Sequence, residues 1–201
     1  MSTKDTFSEF SDDEHRAQTE ELLLELGRFG VAFERVCEAM RHTVLSIFHS
    51  EGLKHQGLAQ VVIGDKGSAE LQTLVGALLF ELRRRVNKED MKAVQILLKE
   101  VKELTEERNV VVHSAWRLDQ NGAFAELYAT TIRPRTRQTK GAVTEVHGIS
   151  ARYLWRLTAR SSGLQVKLQR LQTAILQKGL KIHTELSKPL SLGGEVQGCG
   201  L

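Results

Sequence analysis

The sequence predicts a mainly α-helical fold: a bundle of about four long helices with a β-hairpin inserted after the third, expected to assemble as a dimer. Two observations lead to this fold class. Long stretches carry apolar residues at alternating spacings of four and three, which is typical of helices with one buried face. A shorter stretch after residue 114 is rich in aromatic and β-branched residues, which favour strands.

The first helix is expected from about Thr19. Its apolar stripe is about four heptads long, which suits either a bundle helix or a dimer seam, and the pattern leaves both open. Gly27 and Gly30 weaken a helix locally and are tolerated if another helix crosses closely there. The stripe consists of Leu22, Leu26, Phe29, Phe33, Val36, Met40 and Ile47, with Thr43 in the one gap.

Residues 50–67 hold four glycines and are expected to form a loop with one short extended piece at residues 61–63. A second helix is predicted from Ser68. A third begins after Asn87, which together with Asp90 has the pattern of a capping box. The inward residues are Leu71, Val75, Leu78 and Leu82 in the second helix and Met91, Val94, Leu98, Val101 and Leu104 in the third.

Strands are predicted over 115–119 and 123–133, joined by a turn at 119–122 to form the hairpin. Residues 134–148 are expected to be a basic, polar loop. Ser150 caps the final long helix, and both tryptophans, Trp116 and Trp155, are expected in the core. The inward residues of this helix are Leu154, Leu157, Leu164, Leu168, Leu171 and Ile175. The expected organisation is a flexible N-terminus over 1–18, one domain over 19–186 and a flexible tail over 187–201.

Composition excludes several classes of protein. The chain has 201 residues and a formal net charge of only +3, so nucleic-acid binding has to rest on local basic clusters. Two cysteines give neither a disulfide framework nor a zinc spacing, and no membrane span or signal peptide is expected. Phosphate-loop, HExxH and CxxC motifs are absent from the sequence. We therefore expect a cytoplasmic protein without metal or cofactor.

The segment from Glu106 to Trp116, at the end of the third predicted helix, stands out chemically. Arg108 extends the inward stripe, and a core arginine needs a partner, a phosphate or a subunit interface. On an ideal helix Asn109 and His113 are about 40° apart and share a face, whereas Arg108 and His113 are about 140° apart. Arg108 and His113 therefore converge only if His113 lies at a frayed helix end, or if two copies meet across a dimer.

The motif Arg108-Asn109-x-x-x-His113 resembles the signature of the HEPN superfamily, the "higher eukaryotes and prokaryotes nucleotide-binding" domains. In that signature an arginine, very often followed by asparagine, precedes a histidine by four to six intervening residues. Arg35 and His42 also fit the loose spacing, but Val36 follows that arginine. The resemblance covers roughly residues 20–180, and it implies a small helical bundle, often dimeric.

The resemblance implies a metal-independent endoribonuclease in which an RNA 2′-hydroxyl attacks the adjacent phosphate. His113 is then the general acid–base group, Arg108 grips the phosphate and Asn109 orients His113 or donates to the phosphate. Ser114 is a weaker candidate for support. Ala115 occupies the position at which one toxin branch of the family carries a tyrosine that is modified. Control by modification of that tyrosine is therefore not expected here.

The implied partners are RNA, a second copy of the chain and an antitoxin or other protein regulator, in a prokaryotic defence or toxin–antitoxin setting. Members of the superfamily also serve as inactive RNA- or protein-binding modules, which is the alternative function. Weaker candidates for contact with the RNA backbone, which equally fit a solvated surface, are Arg83, Arg84, Arg85, Arg133, Arg135, Arg137 and Lys140.

Overall fold

The computed structural model describes residues 12–82, 86–113, 115–118, 129–137, 141–177 and 181–190, with the backbone alone described for 12–15 and for strand residues up to 147. The chain is a mainly helical bundle, as the sequence predicts. The helices are α1 (Asp12–Ser50), α2 (Gln56–Ile63), α3 (Ser68–Glu81), α4 (Lys88–His113), α5 (Ala151–Leu176) and α6 (Ile182–Ser187). The strands are β1 (Ala115–Leu118), β2 (Ala129–Arg137) and β3 (Gly141–Ile149).

The chain divides into two compact units, each built from two stretches of sequence. Unit 1 comprises residues 1–35 and 103–162, and unit 2 comprises residues 36–102 and 163–201. The three longest helices, α1, α4 and α5, contribute residues to both units. Each unit therefore has its own set of buried apolar side chains, supplied largely by the same helices.

The core of unit 1 follows the stripes that the sequence predicts for the first, third and last helices. Phe29 and Phe33 on α1 meet edge to face, with ring centroids 6.2 Å apart. Edge-to-face contact aligns the positive rim of one ring with the negative face of the other. The other large buried residues of this unit are Leu22, Leu104, Val111, Ile149, Leu154 and Leu157.

The strands of unit 1 form one antiparallel sheet in the order β1-β2-β3. Ala115 pairs with Ile132 and Leu118 with Ala129, and Ala129 pairs in turn with Ile149. The predicted turn at 119–122 lies outside the described residues. The basic loop expected over 134–148 is wrong, because the end of β2 and almost all of β3 occupy it.

Ser150 connects β3 to α5 and caps the helix, as its position predicts. Its hydroxyl oxygen accepts a hydrogen bond from the backbone N–H of Tyr153 at 3.2 Å. This bond satisfies one of the backbone donors that the first helical turn leaves unpaired. The start of α5 is thereby fixed directly after the sheet.

Unit 2 is held by apolar stripes and by polar bonds between its helices. Gln172 on α5 donates to the backbone oxygen of Ala39 on α1 at 2.8 Å, next to the fully buried Thr43. Gln72 on α3 donates to the backbone oxygen of Leu98 on α4 at 3.0 Å. The large buried side chains include Met40, Ile47, Leu71, Leu79, Leu97 and Leu168.

The short helix α6 is joined to the start of α4 through Asp90. Asn87 caps α4 by accepting the backbone N–H of Asp90 at 2.8 Å, as predicted. The buried Oδ1 of Asp90 accepts both the backbone N–H and the ring Nδ1–H of His183, each at 2.7 Å. The carboxylate of Asp90, in the first turn of α4, thus accepts two hydrogen bonds from the first turn of α6.

Several local expectations differ from the structure. α1 begins at Asp12, earlier than the expected Thr19, and the expected loop over 50–67 contains α2, with the β-branched run at 61–63 in its last turn. The expectation that Trp155 is buried is wrong, since 59% of it is exposed. None of the helices in the described ranges combines the length and the apolar character that crossing a bilayer requires.

Candidate active site

The end of α4 carries the predicted motif. Leu104 and Val111 are fully buried and hold this end of the helix in unit 1. Arg108 lies one helical turn from each of them and is half-buried, so its stem packs inward while its guanidinium reaches the surface. Asn109 is also half-buried, and His113, the last residue of the helix, is exposed.

The three predicted residues are brought together within one chain. Nη1 of Arg108 lies 2.9 Å from Nε2 of His113 and donates to Oδ1 of Asn109 at 3.2 Å. An ideal helix separates positions 108 and 113 by about 140°. The long arginine side chain closes that gap because His113 ends the helix.

An aromatic ring supports the guanidinium from α1. The Cζ atom of Arg108 lies 5.6 Å from the centroid of the Phe33 ring, within the range of a cation–π interaction. Phe33 is buried, so its ring is itself held in place. The position of Arg108 is therefore determined by three side chains from two helices.

The contact between Arg108 and His113 specifies the state of the imidazole. A guanidinium has only N–H donors, so Nε2 of His113 has to accept, and the proton of the neutral ring then lies on Nδ1. Among the described residues, Nε and Nη2 of Arg108 have no hydrogen-bond partner. These two atoms form the outer edge of the planar fork, which matches the spacing of two phosphate oxygens.

A second polar cluster lies next to the motif, and the sequence reasoning missed it. Arg160 on α5 donates to Oε1 of Glu107 at 2.7 Å, and its Nη2 lies 3.7 Å from Glu103. The other oxygen of Glu107, Oε2, is buried and has no hydrogen-bond partner within the described residues. Burial, and to a smaller extent the charge of Glu107, raise the pKa of Tyr153 above its ordinary value, against the effect of Arg160.

This cluster was hidden from sequence reasoning because its members on α4 are 46 to 57 positions away from its members on α5. Only Glu107 carried a signal, as the direct neighbour of Arg108 in the motif. The ion pair joins α4 to α5 in unit 1, and it pairs Glu107 and Glu103 with Arg160.

The structure describes only some of the other predicted site residues. Ser114, the run 83–85 and Lys140 lie outside the described residues. Arg133, Arg135 and Arg137 occupy alternate positions of β2, with backbone partners Glu145, Val143 and Gly141, and nothing further is described for them. In the described ranges no group of three or more His, Cys, Asp or Glu side chains is arranged to hold a metal ion.

Three comparisons place this geometry against known proteins. The chain gives no significant match to any known protein family, to any curated protein or to any solved structure.

Proposed function

We propose that this chain is a metal-independent endoribonuclease of the HEPN type, with Arg108, Asn109 and His113 at its active site. The observation that supports this most is the 2.9 Å contact between Arg108 and an exposed histidine at the end of α4. An unpaired guanidinium edge beside an imidazole supplies what cleavage by the 2′-hydroxyl needs, namely an anion-binding group and a proton-transfer group.

In the proposed reaction the RNA phosphate binds the outer edge of Arg108. The 2′-oxygen attacks phosphorus, its proton passes to a base, and the bond from phosphorus to the 5′-oxygen breaks as that oxygen takes a proton from an acid. The products carry 2′,3′-cyclic phosphate and 5′-hydroxyl ends. DNA is not a substrate, because it lacks the 2′-hydroxyl.

A homodimer completes this chemistry. One imidazole serves as base or as acid in a single step, whereas two copies of His113 supply both. The exposed apolar residues Leu24 and Val31 on α1 are suited to such an interface, as are Gly27 and Gly30, since a Cβ built at either glycine meets nothing within 4 Å. We further propose that 115–133 forms the predicted hairpin and that a protein regulator controls the enzyme in a defence or toxin–antitoxin setting.

One observation favours a second function, that of a catalytically inactive RNA- or protein-binding module of the same fold. Among the described residues, Arg108 contacts Phe33, Asn109 and His113, so the motif also has the contacts of a structural network. Such a module binds RNA or a protein partner through this end of unit 1 without cutting RNA.

Cleavage assays on variants of the motif test the proposal. His113→Ala removes proton transfer and should lower the cleavage rate by about a hundred- to ten-thousandfold. Arg108→Lys keeps the charge but loses the planar fork, so a severe loss is also expected. Asn109→Ala should be milder, since it removes one hydrogen bond to Arg108 and leaves the outer edge of the guanidinium and the imidazole in place. Chelation by EDTA should leave the wild-type rate unchanged.

The chain offers a matched control in Arg35 and His42, the second pair that fits the loose spacing. Both are exposed on α1, so Arg35→Lys and His42→Ala should retain full activity. Circular dichroism establishes that each variant is folded. If folded His113→Ala cleaves RNA as fast as wild type, or if magnesium restores activity that EDTA has abolished, the proposal is wrong.

A further inference from the structure

Near the start of α5, an exposed tryptophan lies beside two exposed arginines. Trp155 is 59% exposed, although a tryptophan is usually mostly buried. Arg152 and Arg156 are four residues apart on the same helix, and Trp155 lies three positions after the first and next to the second, so the three form one continuous surface. We call Arg152, Trp155 and Arg156 the Trp155 face.

The charge of α5 is strongly one-sided. Its 26 residues include no Asp or Glu. Arg160 and Lys167 pair with acidic residues of α4, but neither arginine of the Trp155 face has a hydrogen bond or ion pair to any described residue. Arg152 also lies in the first helical turn, where the helix dipole disfavours a cation. The face therefore carries positive charge that the described part of the chain does not compensate.

The Trp155 face lies at the same end of unit 1 as the proposed active site. Leu118, Ala129 and Ile149 are paired across β1, β2 and β3. Neighbouring strands are about 5 Å apart, so the end of β1 is about 10 Å from the start of α5. His113 precedes the other end of β1, about 10 Å further along that strand, and Glu107, six residues before His113, is bonded to Arg160 on α5. A nucleic-acid strand several nucleotides long therefore spans both sites.

The chemistry of the face fits unpaired bases joined by phosphates. An exposed indole provides a flat surface for base stacking, and arginines on either side contact the flanking phosphates. Bases in a duplex stack on each other and do not present their faces to a side chain on a helix. We propose that the Trp155 face binds single-stranded RNA, which makes single strands the substrate class of the active site. That the bound single strand is also a substrate rests on the proposed function.

Binding of short oligouridine to the full chain tests this inference, in the His113→Ala background so that RNA stays intact. Oligouridine should quench tryptophan emission, and Trp155→Phe should remove most of that quenching. Trp155→Ala should weaken binding roughly 5- to 150-fold, the usual range for loss of one stacked base. Arg152→Gln and Arg156→Gln should each lower the slope of log affinity against log salt by about 0.7.

Matched controls come from unit 2. Leu58 is 58% exposed, so Leu58→Ala removes an apolar side chain of equal exposure, and Lys92→Gln removes an exposed charge. Both should bind oligouridine as the parent does. A fully base-paired RNA should bind more weakly and cause little quenching. If Trp155→Ala binds oligouridine as tightly as the parent, or if duplex RNA binds equally well with equal quenching, the inference is overturned.

Cleavage by the otherwise unchanged protein separates this inference from the proposed function. If the chain binds oligouridine through Trp155 but cuts no RNA, the ribonuclease proposal fails and the binding face stands. If the chain cuts RNA and Trp155→Ala leaves KM for a single-stranded substrate unchanged, the binding face fails and the ribonuclease stands.

Discussion

The pKa of Tyr153 on α5 lies above the ordinary value for a tyrosine. Burial raises the pKa above 10.0, with a further contribution from the charge of Glu107. The folded protein therefore keeps the phenol protonated at a pH where the unfolded chain has lost the proton. By linkage, this group contributes stability that is present below pH 10 and is lost as pH rises towards the folded pKa.

A spectroscopic titration checks this expectation. Tyrosinate absorbance should show Tyr153 ionising above pH 10, and Tyr153→Phe should remove that late step. The urea midpoint of wild type should fall above pH 10, and that of Tyr153→Phe should fall less. A titration in which both tyrosines ionise together at the ordinary pKa contradicts the assigned environment.

At the residue scale the sequence predicted which residues form the motif but not how they meet. The choice of Arg108, Asn109 and His113 rested on residue types and spacing together with the resemblance to the HEPN signature. Their contact depends on an arginine rotamer and on the exact residue at which α4 ends, and periodicity defines neither. Phe33, whose ring lies against the guanidinium, comes from a different helix and carried no local signal beyond its place in an apolar stripe.

For Trp155 the sequence did contain a signal of exposure, but the general preference of tryptophan for burial was given more weight. On an ideal helix Trp155 is about 100° from Leu154 and about 160° from Leu157, both of which are buried. The predicted stripe therefore already placed this side chain towards solvent. The expectation of burial came from the general preference of tryptophan for the interior, and periodicity would have been the better guide.

At the scale of elements, Asp90 determines how α6 is attached. Its buried carboxylate accepts two hydrogen bonds from His183, so removing it leaves two donors without a partner. Asp90→Ala should lower the free energy of unfolding by about 1–3 kcal/mol, and Asp90→Asn, which keeps an acceptor, should cost less. Ser187→Ala serves as the control, because that hydroxyl is exposed and bonds only a backbone oxygen of the same helix.

Urea denaturation of the three variants measures these differences. An Asp90→Ala protein as stable as Ser187→Ala would show that the bonds to His183 contribute nothing to stability.

Long elements were predictable and short ones were not. The stripes of α1, α4 and α5 continue over many turns, so one misplaced residue does not hide them. α2 has only 8 residues, and its run of Val61, Val62 and Ile63 has the composition of a strand. Burial of Ala59 and Ile63 at helical spacing overrides that local preference, and this packing is visible only in the folded chain.

At the scale of the whole molecule, the proposed mechanism predicts a homodimer, because it uses one copy of His113 as the acid and the other as the base. Light scattering at micromolar concentration should give the mass of a dimer. A charge placed in the exposed α1 face, as in Leu24→Glu or Val31→Glu, should give a monomer that has lost most of its ribonuclease activity. Leu58→Glu adds the same charge at an exposed position of α2 and should leave both mass and activity unchanged.

Mixing wild-type and variant chains tests further whether the active site is shared between two copies. Heterodimers of His113→Ala and wild-type chains should have activity well below the average of the two homodimers, because each site draws on both copies. A wild-type monomer with full activity contradicts a shared site.

The division into two units also determines whether one unit can be exchanged for another by recombination. Modules that recombine freely are joined by exposed linkers, where few contacts cross. Here the sequence passes between units at Arg35 and Val36, at Lys102 and Glu103, and at Ser162 and Gly163. Each of these junctions falls inside a helix, in α1, α4 and α5 respectively. Exchange of one unit for another would have to join helices in mid-turn at three places, whereas substitutions and changes in the segments between helices leave these junctions intact.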